Sequence, residues 1–346
     1  MIVPEGIDDP RRPSGGNTFD RRVCRGLAAA GWDVHVHAVP GSWPRPDAPS
    51  YEALAGAVRG IPDRAVVLVD GLVGSPAPEV LVPEAVRLRL VALVHMPLGH
   101  ATDDRAREGE RAVLSAAAAV VTTSAWARRF IVDLYSLPDD RVRVAEPGAD
   151  AAVLAPGTAT AGAMLSVAAV IPGKGHDVLL EALAMLNGLA WRCLCVGSLE
   201  RDPAFVERLR RRLLDDGMDG RVRFAGPQTE AELARSYGAA DVLVLASRAE
   251  TYGMVVTEAL ARGLPVIAAG TGGVPEALGH GADGTRPGLL VPPDDPVALR
   301  DALRAWLEDA DLRGRLRRAA RERRATLSRW STTTAVLGDV LAGAAR

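Results

Sequence analysis

The chain has 346 residues, of which 48% are hydrophobic and 24% charged, and its formal net charge is -2 at pH 7. This composition excludes disorder and a global electrostatic drive toward nucleic acid or anionic membranes, and the length is sufficient for two domains. Arg, Asp, Gly or Pro interrupts every apolar run, so no membrane span is expected, and three cysteines without metal-ligand spacing predict a reduced, cytoplasmic protein.

Short apolar runs, each followed by an amphipathic stretch of helical length, recur along the whole chain. After a short first strand before Pro4, or a natural start further upstream, they cover residues 34–37, 66–70, 90–95, 119–123, 142–145, 164–167, 192–196, 222–225, 242–246, 265–269 and 289–291. Runs without alternation are typical of strands buried on both faces of a parallel sheet. The pattern predicts an α/β fold with two doubly wound, Rossmann-like domains that face each other across a cleft.

A loop-like segment, residues 147–161, contains both Pro and Gly and shows little periodicity. We therefore expect a first domain over 1–155 and a second over 156–329, with a C-terminal helix near 330–346 that can pack back on the first. Arginines cluster over 313–324, where they resemble a solvated helix face.

Two glycines, Gly15 and Gly16, stand directly before a helix predicted over 19–30. Glycine lets a backbone approach a ligand closely, and Asn17 can cap the helix whose positive end then faces an anion. This arrangement indicates a candidate phosphate site, although a glycine pair before a capped helix is more often just a turn.

The turn after the first strand of the second domain holds Lys174, the only lysine among 41 basic side chains. A compact ammonium at a strand end can neutralise phosphate oxygens as a point charge, whereas the guanidinium of arginine is a planar group. Chance retention in a glycine-flanked loop is the alternative. His176, two residues later, is interpreted as a helix-start residue.

The most specific segment covers residues 246–266. Glu250 follows a buried strand, and Glu258 comes two helical turns later, inside an otherwise apolar helix predicted over 254–261. The residues between them form a helix N-terminus whose free N–H groups can bind a diphosphate. A second strand-end glycine loop follows at 270–276.

Residues 247–276 resemble the signature of family 4 retaining glycosyltransferases of the GT-B fold. The resemblance extends to the first-domain glycine pair, to residues 121–126 and 140–144, to Lys174 with Gly175, and to residues 222–226. It implies a hexosyltransferase that uses a nucleotide-diphosphate sugar and retains the anomeric configuration. The first domain would shape the acceptor site and the second would bind the donor.

The resemblance also implies roles for individual residues. The implied catalytic residues are Glu250, Lys174 and His95, although a core histidine is the alternative for His95. The implied nucleotide-sugar-binding residues are Gly15, Gly16, Asn17, Lys174, Phe224, Gln228, Thr251, Tyr252, Gly253, Met254, Val255 and Glu258. Among these, Glu258 would hold the ribose hydroxyls, Lys174 the diphosphate, and Phe224 with Gln228 would flank the base.

One departure concerns the diphosphate. Family members commonly have an arginine five residues before the lysine, where this chain has Ala169. The substitutes suggested by the sequence are Arg248, Arg11 and Arg12. Residues 146–148 also depart from the usual interdomain turn.

We expect no metal and no cofactor, because Asp309 and Asp311 form an Asp-x-Asp pair only in a helical, solvent-facing segment. The expected partners are small-molecule donor and acceptor substrates and no nucleic acid; a lipid acceptor would add peripheral membrane contact. Three alternatives stay open: a sugar-nucleotide epimerase, a non-catalytic nucleotide-sugar binding protein, and a phosphorylase-like enzyme with pyridoxal phosphate on the lysine.

Overall fold

The computed structural model describes residues 1–10, 13–100 and 103–346. Arg11 and Arg12, suggested above as phosphate ligands, lie outside the described residues. The chain divides into two compact units: unit 1 comprises Met1–Asp8, Gly15–Gly148 and Ser328–Arg346, and unit 2 comprises Asp9–Ser14 and Ala149–Leu327.

Each unit contains one six-stranded sheet with parallel pairing between neighbouring strands. The sheet of unit 1 contains β1 (Ile2–Pro4), β2 (His37–Val39), β3 (Val66–Asp70), β4 (Arg89–Val94), β5 (Ala119–Thr122) and β6 (Val142–Val144), in the order β2-β1-β3-β4-β5-β6. The sheet of unit 2 contains β7 (Ala163–Val167), β8 (Arg192–Val196), β9 (Val222–Gly226), β10 (Val242–Leu245), β11 (Val266–Ala269) and β12 (Gly288–Val291), in the order β12-β11-β10-β7-β8-β9.

Helices connect successive strands within each sheet, as a parallel sheet requires, and three more follow the last strand. They are α1 (Gly15–Ala29), α2 (Ala48–Arg59), α3 (Gly71–Gly74), α4 (Pro78–Glu84), α5 (Asp104–Ala116), α6 (Ala125–Tyr135), α7 (His176–Ala184), α8 (Pro203–Asp215), α9 (Glu230–Gly238), α10 (Met254–Leu260), α11 (Val274–Leu278), α12 (Pro296–Glu308), α13 (Ala310–Arg324) and α14 (Trp330–Ala344). No helix in the described ranges is both long and apolar enough to cross a membrane.

The α/β prediction with two doubly wound parallel sheets is confirmed, and ten of the predicted strands lie within one residue of the observed bounds. The strand predicted over 34–37 is wrong, because the edge strand β2 begins only at His37. Its register is set by three-residue β1, which pairs Ile2 with His37 and Pro4 with Val39. Val36, a residue of the predicted strand, is 49% exposed rather than buried.

The helix predicted over 19–30 begins four residues earlier, at Gly15. The expected N-cap at Asn17 is therefore wrong, since Asn17 lies within the first turn. Further along α1, Phe19, Val23 and Leu27 form a buried cluster with Leu337 and Leu341 of α14. The C-terminal helix thus contributes core side chains to unit 1.

The arginine cluster of α13 is more than the solvated face that the sequence predicts. Arg313 donates to the carbonyl oxygen of Trp306 at 2.8 Å, and Arg323 donates to that of Leu278 at 3.2 Å. Arg317 lies 3.2 Å from Asp241, which is fully buried. Several of these guanidinium groups therefore bind carbonyl and carboxylate groups of unit 2.

Asp241, immediately before β10, binds Thr158 and Ala163 and so fixes the segment that leads into β7 against the sheet of unit 2. Its Oδ1 accepts from the Thr158 amide at 2.6 Å and from Arg317, and its Oδ2 accepts from the Thr158 hydroxyl at 2.6 Å and the Ala163 amide at 2.9 Å. We expect Asp241→Ala to lower the free energy of unfolding of unit 2 by about 3 kcal/mol, because several buried donors lose their acceptor.

Urea unfolding followed by tryptophan fluorescence measures this change. The exposed Asp219→Ala is the control and should change the midpoint little. Equal midpoints for the two variants would contradict the role given to Asp241.

Candidate active site

The candidate site of unit 2 lies where its strand order reverses. Strands β7 and β10 are neighbours in the sheet, with Met164 opposite Val242 and Leu165 opposite Leu243. Ligands of open α/β sheets bind beyond the carboxyl ends of strands at such a switch point. The turns that follow β7 and β10 carry Lys174 and Glu250.

The Lys174 ammonium and the Glu250 carboxylate form an ion pair, with Nζ and Oε1 2.6 Å apart. The hydroxyl of Ser247 donates to the same oxygen at 2.8 Å. The side chains of Lys174 and Glu250 are 25% and 12% exposed. The two residues singled out from separate motifs therefore meet, and the shared contact holds the ammonium in one place.

Gly175 makes this placement of Lys174 feasible. Its φ is +66°, and a Cβ there would lie 1.9 Å from the carbonyl oxygen of Ala246. We expect Gly175→Ala to lower the melting temperature by at least about 3 °C, since the strained turn must move and carry Lys174 with it.

Gly173 supplies the matched control, because a Cβ added there meets no atom within 4 Å. Differential scanning fluorimetry should show Gly173→Ala close to wild type. Equal losses for both variants would contradict the special role of Gly175.

Arg248 does not fill the place of the arginine missing at Ala169. Its Nη1 and Nη2 donate to the two carboxylate oxygens of Asp177, each at 3.0 Å, and its Nε lies 2.6 Å from Asp294. Nη1 also donates to the carbonyl oxygen of Pro172. Arg248 therefore braces the turn that precedes Lys174, and most of its donors are already engaged.

The second glycine loop supports the segment after β10. The amide of Gly273 donates to the carbonyl oxygen of Glu250 at 3.0 Å, and a Cβ on Gly272 would lie 1.7 Å from that same oxygen. The loop that the sequence associates with a ligand thus packs on the backbone at Glu250.

Residues 251–255 are buried or partly buried in unit 2. Thr251 and Tyr252 are buried, and the Tyr252 ring belongs to the core of unit 2. Gly253 precedes α10 in a left-handed conformation, and Met254 and Val255 pack partly on the same core. Any ligand contact from this segment would come from N–H groups rather than from side chains.

Glu258 is half-buried on α10 and accepts a hydrogen bond from the hydroxyl of Tyr237 at 2.9 Å. Burial raises the pKa of this carboxyl, while Tyr237 and Arg262 oppose the shift. Arg262 stacks on the Tyr237 ring with its guanidinium carbon 4.5 Å from the ring centroid. These contacts fix the orientation of Glu258.

The two residues expected to flank the base are both partly buried in unit 2. Phe224 lies on β9 with its ring centroid 6.3 Å from that of His176, and Gln228 accepts from Ser236 at 2.8 Å. His176 begins α7, as expected, and burial lowers its pKa to about 4. Its ring nitrogens are buried and unpaired, so His176 is a core residue.

In unit 1, His95 directly follows β4, and its side chain is 16% exposed. A Cβ on Gly16 would lie 3.3 Å from the His95 ring, so the space left by this glycine accommodates the histidine. His95 bonds to Asp20 at 2.8 Å, and Asp70 ends the neighbouring strand β3. Neither aspartate was predicted as a site residue, although Asp70 ends a predicted strand and Asp20 lies on the helix that follows the glycine pair.

Glu110 was also missed. It is fully buried and accepts from the amides of Leu98 and Gly99, and from the Tyr135 hydroxyl at 2.6 Å. It thereby fixes the turn that follows His95. In sequence, Glu110 lies three and four positions before Val113 and Leu114 and thus on the apolar face of the helix, which is a signal that could have identified it.

In the described part of the chain, the acids and histidines close enough to share a metal ion are Asp20, Asp70 and His95, whose ligand atoms all lie within 4.8 Å of one another. The Asp309–Asp311 pair is different, because Asp309 caps α13 by accepting from the Leu312 amide at 2.8 Å. It is a helix cap.

Residues 159–323 match the family model described as "Glycosyl transferases group 1". A D-inositol 3-phosphate glycosyltransferase from Jonesia denitrificans is 34% identical over 256 residues, which cover 68% of this chain and 59% of that protein. The chain spans 51–59% of the length of such curated relatives. Unit 2 thus has the sequence features of that family.

Two solved structures resemble the chain over 99% of its length. Sucrose-phosphate synthase from Thermosynechococcus elongatus has a TM-score of 0.79 at 23% identity and is covered to 97%. The Anabaena protein Alr3699/HepE, solved in complex with UDP-glucose, has a TM-score of 0.76 at 17% identity and is covered to 98%. With the two parallel sheets, these likenesses confirm the predicted GT-B fold class.

Proposed function

We propose that the chain is a glycosyltransferase that moves a sugar from a nucleotide-diphosphate sugar to an acceptor hydroxyl. The observation that carries the proposal is the Lys174–Glu250 ion pair at the switch point of unit 2, with Nζ and Oε1 2.6 Å apart. The family match over residues 159–323 includes both residues and supports the same assignment.

In the proposed reaction, the bond between the anomeric carbon and the diphosphate oxygen breaks, the acceptor oxygen bonds to that carbon, and the acceptor's proton passes to the departing diphosphate. Negative charge then grows on the departing diphosphate. Lys174 stabilises this charge, and the N–H groups of residues 251–255 supply further contacts. With Ala169 in place of an arginine and Arg248 engaged elsewhere, most of the side-chain charge falls to Lys174.

The two carboxylates bind the transferred sugar and the ribose of the donor. Glu250 orients Lys174 through Oε1, and we assign its other oxygen to a hydroxyl of the transferred sugar. Glu258, held by Tyr237, accepts from the ribose hydroxyls, and Phe224 with Gln228 flanks the base. In unit 1, we assign ligand-binding backbone N–H groups to Gly15, Gly16 and Asn17 in the first turn of α1, and a hydrogen bond to a substrate oxygen to His95.

We further propose that transfer retains the anomeric configuration and needs no metal ion. The first follows from the resemblance to retaining family 4 enzymes. The second is supported by Lys174, whose fixed positive charge can serve where other enzymes use a divalent cation.

The test begins with a thermal-shift screen of purified protein against a panel of nucleotide sugars. The best donor is then incubated with candidate acceptors with and without EDTA, and proton NMR reads the anomeric configuration of the product. We expect a glycoside with retained configuration and an EDTA-independent rate. Release of an altered free sugar or nucleotide sugar would indicate the epimerase, and binding without any product would indicate the non-catalytic protein.

A further inference from the structure

Three ionisable side chains meet at the carboxyl ends of the central strands of unit 1. Asp20 is on α1, Asp70 ends β3, and His95 follows β4. Asp20 and Asp70 are 0% and 2% exposed, and the ligand atoms of the three residues lie within 4.8 Å of one another. Two buried acids and one base at such close range titrate as a coupled group, so the protonation of each depends on the other two.

The hydrogen bonds of this cluster leave one oxygen without a donor. His95 Nε2 and Asp20 Oδ1 are 2.8 Å apart, and Asp70 Oδ1 accepts from the Leu72 amide at 2.8 Å. Asp20 Oδ2 is buried and unpaired when both acids are ionised. A protonated Asp70, which lies in hydrogen-bonding contact with Asp20, can supply the missing donor.

We propose that Asp20 and Asp70 are positioning residues for His95. Asp70 keeps its proton and donates it to Asp20 Oδ2, and Asp20 in turn holds the His95 ring as an imidazolium through Nε2–H. This inference rests on the proposed function only in assigning His95 to the site.

Below about pH 7 the charges of the cluster balance in this arrangement, because the negative Asp20 faces the positive His95 and Asp70 is neutral. Burial and then repulsion by Asp20 raise the pKa of Asp70 to about 7, against the attraction of His95. Burial pulls the pKa of His95 down, but the charge and hydrogen bond of Asp20 outweigh it and raise the pKa to about 9. Cys24, one turn further along α1, also faces Asp20, and the uncharged Phe19 ring lies edge-on to His95 at 5.1 Å.

An imidazolium has an N–H on both ring nitrogens and no free lone pair. In this state, His95 can donate a hydrogen bond to a substrate oxygen but cannot take the proton of an acceptor hydroxyl. The cluster thus makes His95 a donor that binds oxygen and excludes it as the general base of the transfer reaction.

The test is a nitrogen-15 NMR titration of histidine-labelled protein without substrate, so failure of sugar transfer leaves its outcome unaffected. Loss of a resonance in His95→Gln assigns His95 among the six histidines. In the wild type, we expect both His95 nitrogens to stay protonated up to about pH 8. Titration at or below pH 6.5 would overturn the proposal.

Two variants separate the roles of the acids. Asp20→Asn should lower the His95 pKa by about 2 units, because the negative partner is lost. In Asp70→Asn, the amide N–H replaces the acid proton as donor to Asp20, so His95 should remain an imidazolium over the same pH range. An unchanged His95 titration in Asp20→Asn, or a deprotonated His95 in Asp70→Asn at pH 7, would contradict the arrangement.

The exposed pair of His35 and Asp33, 3.1 Å apart, provides a matched control. Asp33→Asn should leave the His95 titration unchanged. If Asp20→Asn does not fold, the wild-type and Asp70→Asn titrations still decide the matter.

Addition of equimolar Zn²⁺ gives a last check, since a shift of the His95 resonance to a metal-bound position would show that the cluster holds a metal instead of the proton.

Discussion

Lys174→Ala lowers the turnover number of sugar transfer by about 100- to 1,000-fold in our account, the size expected when one preorganised donor to a developing negative charge is lost. The effect is large because, in the proposed reaction, the ammonium contacts the leaving group, and Arg248 is already bound to Asp177 and Asp294. Steady-state kinetics with the donor from the thermal-shift screen measures the change.

Lys174→Arg is the matched variant, because it keeps the charge but not the compact, rotatable shape of the ammonium. We expect it to recover only part of the lost rate. The melting temperature of both variants should stay near that of the wild type, since the Lys174–Glu250 pair is only partly buried. Turnover of Lys174→Ala within about threefold of wild type would remove the role assigned to the ammonium.

Glu258→Ala is expected to weaken donor binding about 10- to 100-fold, while the turnover number at saturation changes less. The reason is that, in the role proposed for Glu258, its charged hydrogen bonds to the ribose hydroxyls form on donor binding and persist through the reaction. Isothermal titration calorimetry with the nucleoside diphosphate of the best donor gives the dissociation constant directly.

Tyr237→Phe is the control for this second prediction. It removes only the hydroxyl that orients Glu258, at 2.9 Å, and keeps the buried ring. Its loss of affinity should be smaller than that of Glu258→Ala. An unchanged dissociation constant in Glu258→Ala would contradict the ribose assignment.

Much of the fold could be predicted because its strands are buried on both faces. Runs such as Val66–Asp70 and Arg192–Val196 have the largely apolar composition typical of strands in a covered parallel sheet, and their observed bounds match the prediction. The edge strand β2 could not be located in the same way. Its position depends on pairing with β1, and a partly exposed strand carries little apolar signal.

The meeting of Lys174 with Glu250 could be anticipated because both follow strands that flank a switch point in the usual strand order. The engagement of Arg248 could not, because its acidic partners lie 71 and 46 positions away in the chain and no local pattern links them. Asp20 and Asp70 escaped notice for a similar reason. Each is an ordinary acid in sequence, and only the fold brings them to His95.

The central claim is that the Lys174 ammonium binds the diphosphate of the donor, and calorimetry with two ligands tests it most directly. The nucleoside diphosphate and the corresponding nucleoside are each titrated into wild type and into Lys174→Ala. The account predicts that the variant loses affinity for the diphosphate by at least about 10-fold and keeps its affinity for the nucleoside. Equal affinities of the two proteins for the diphosphate would contradict it.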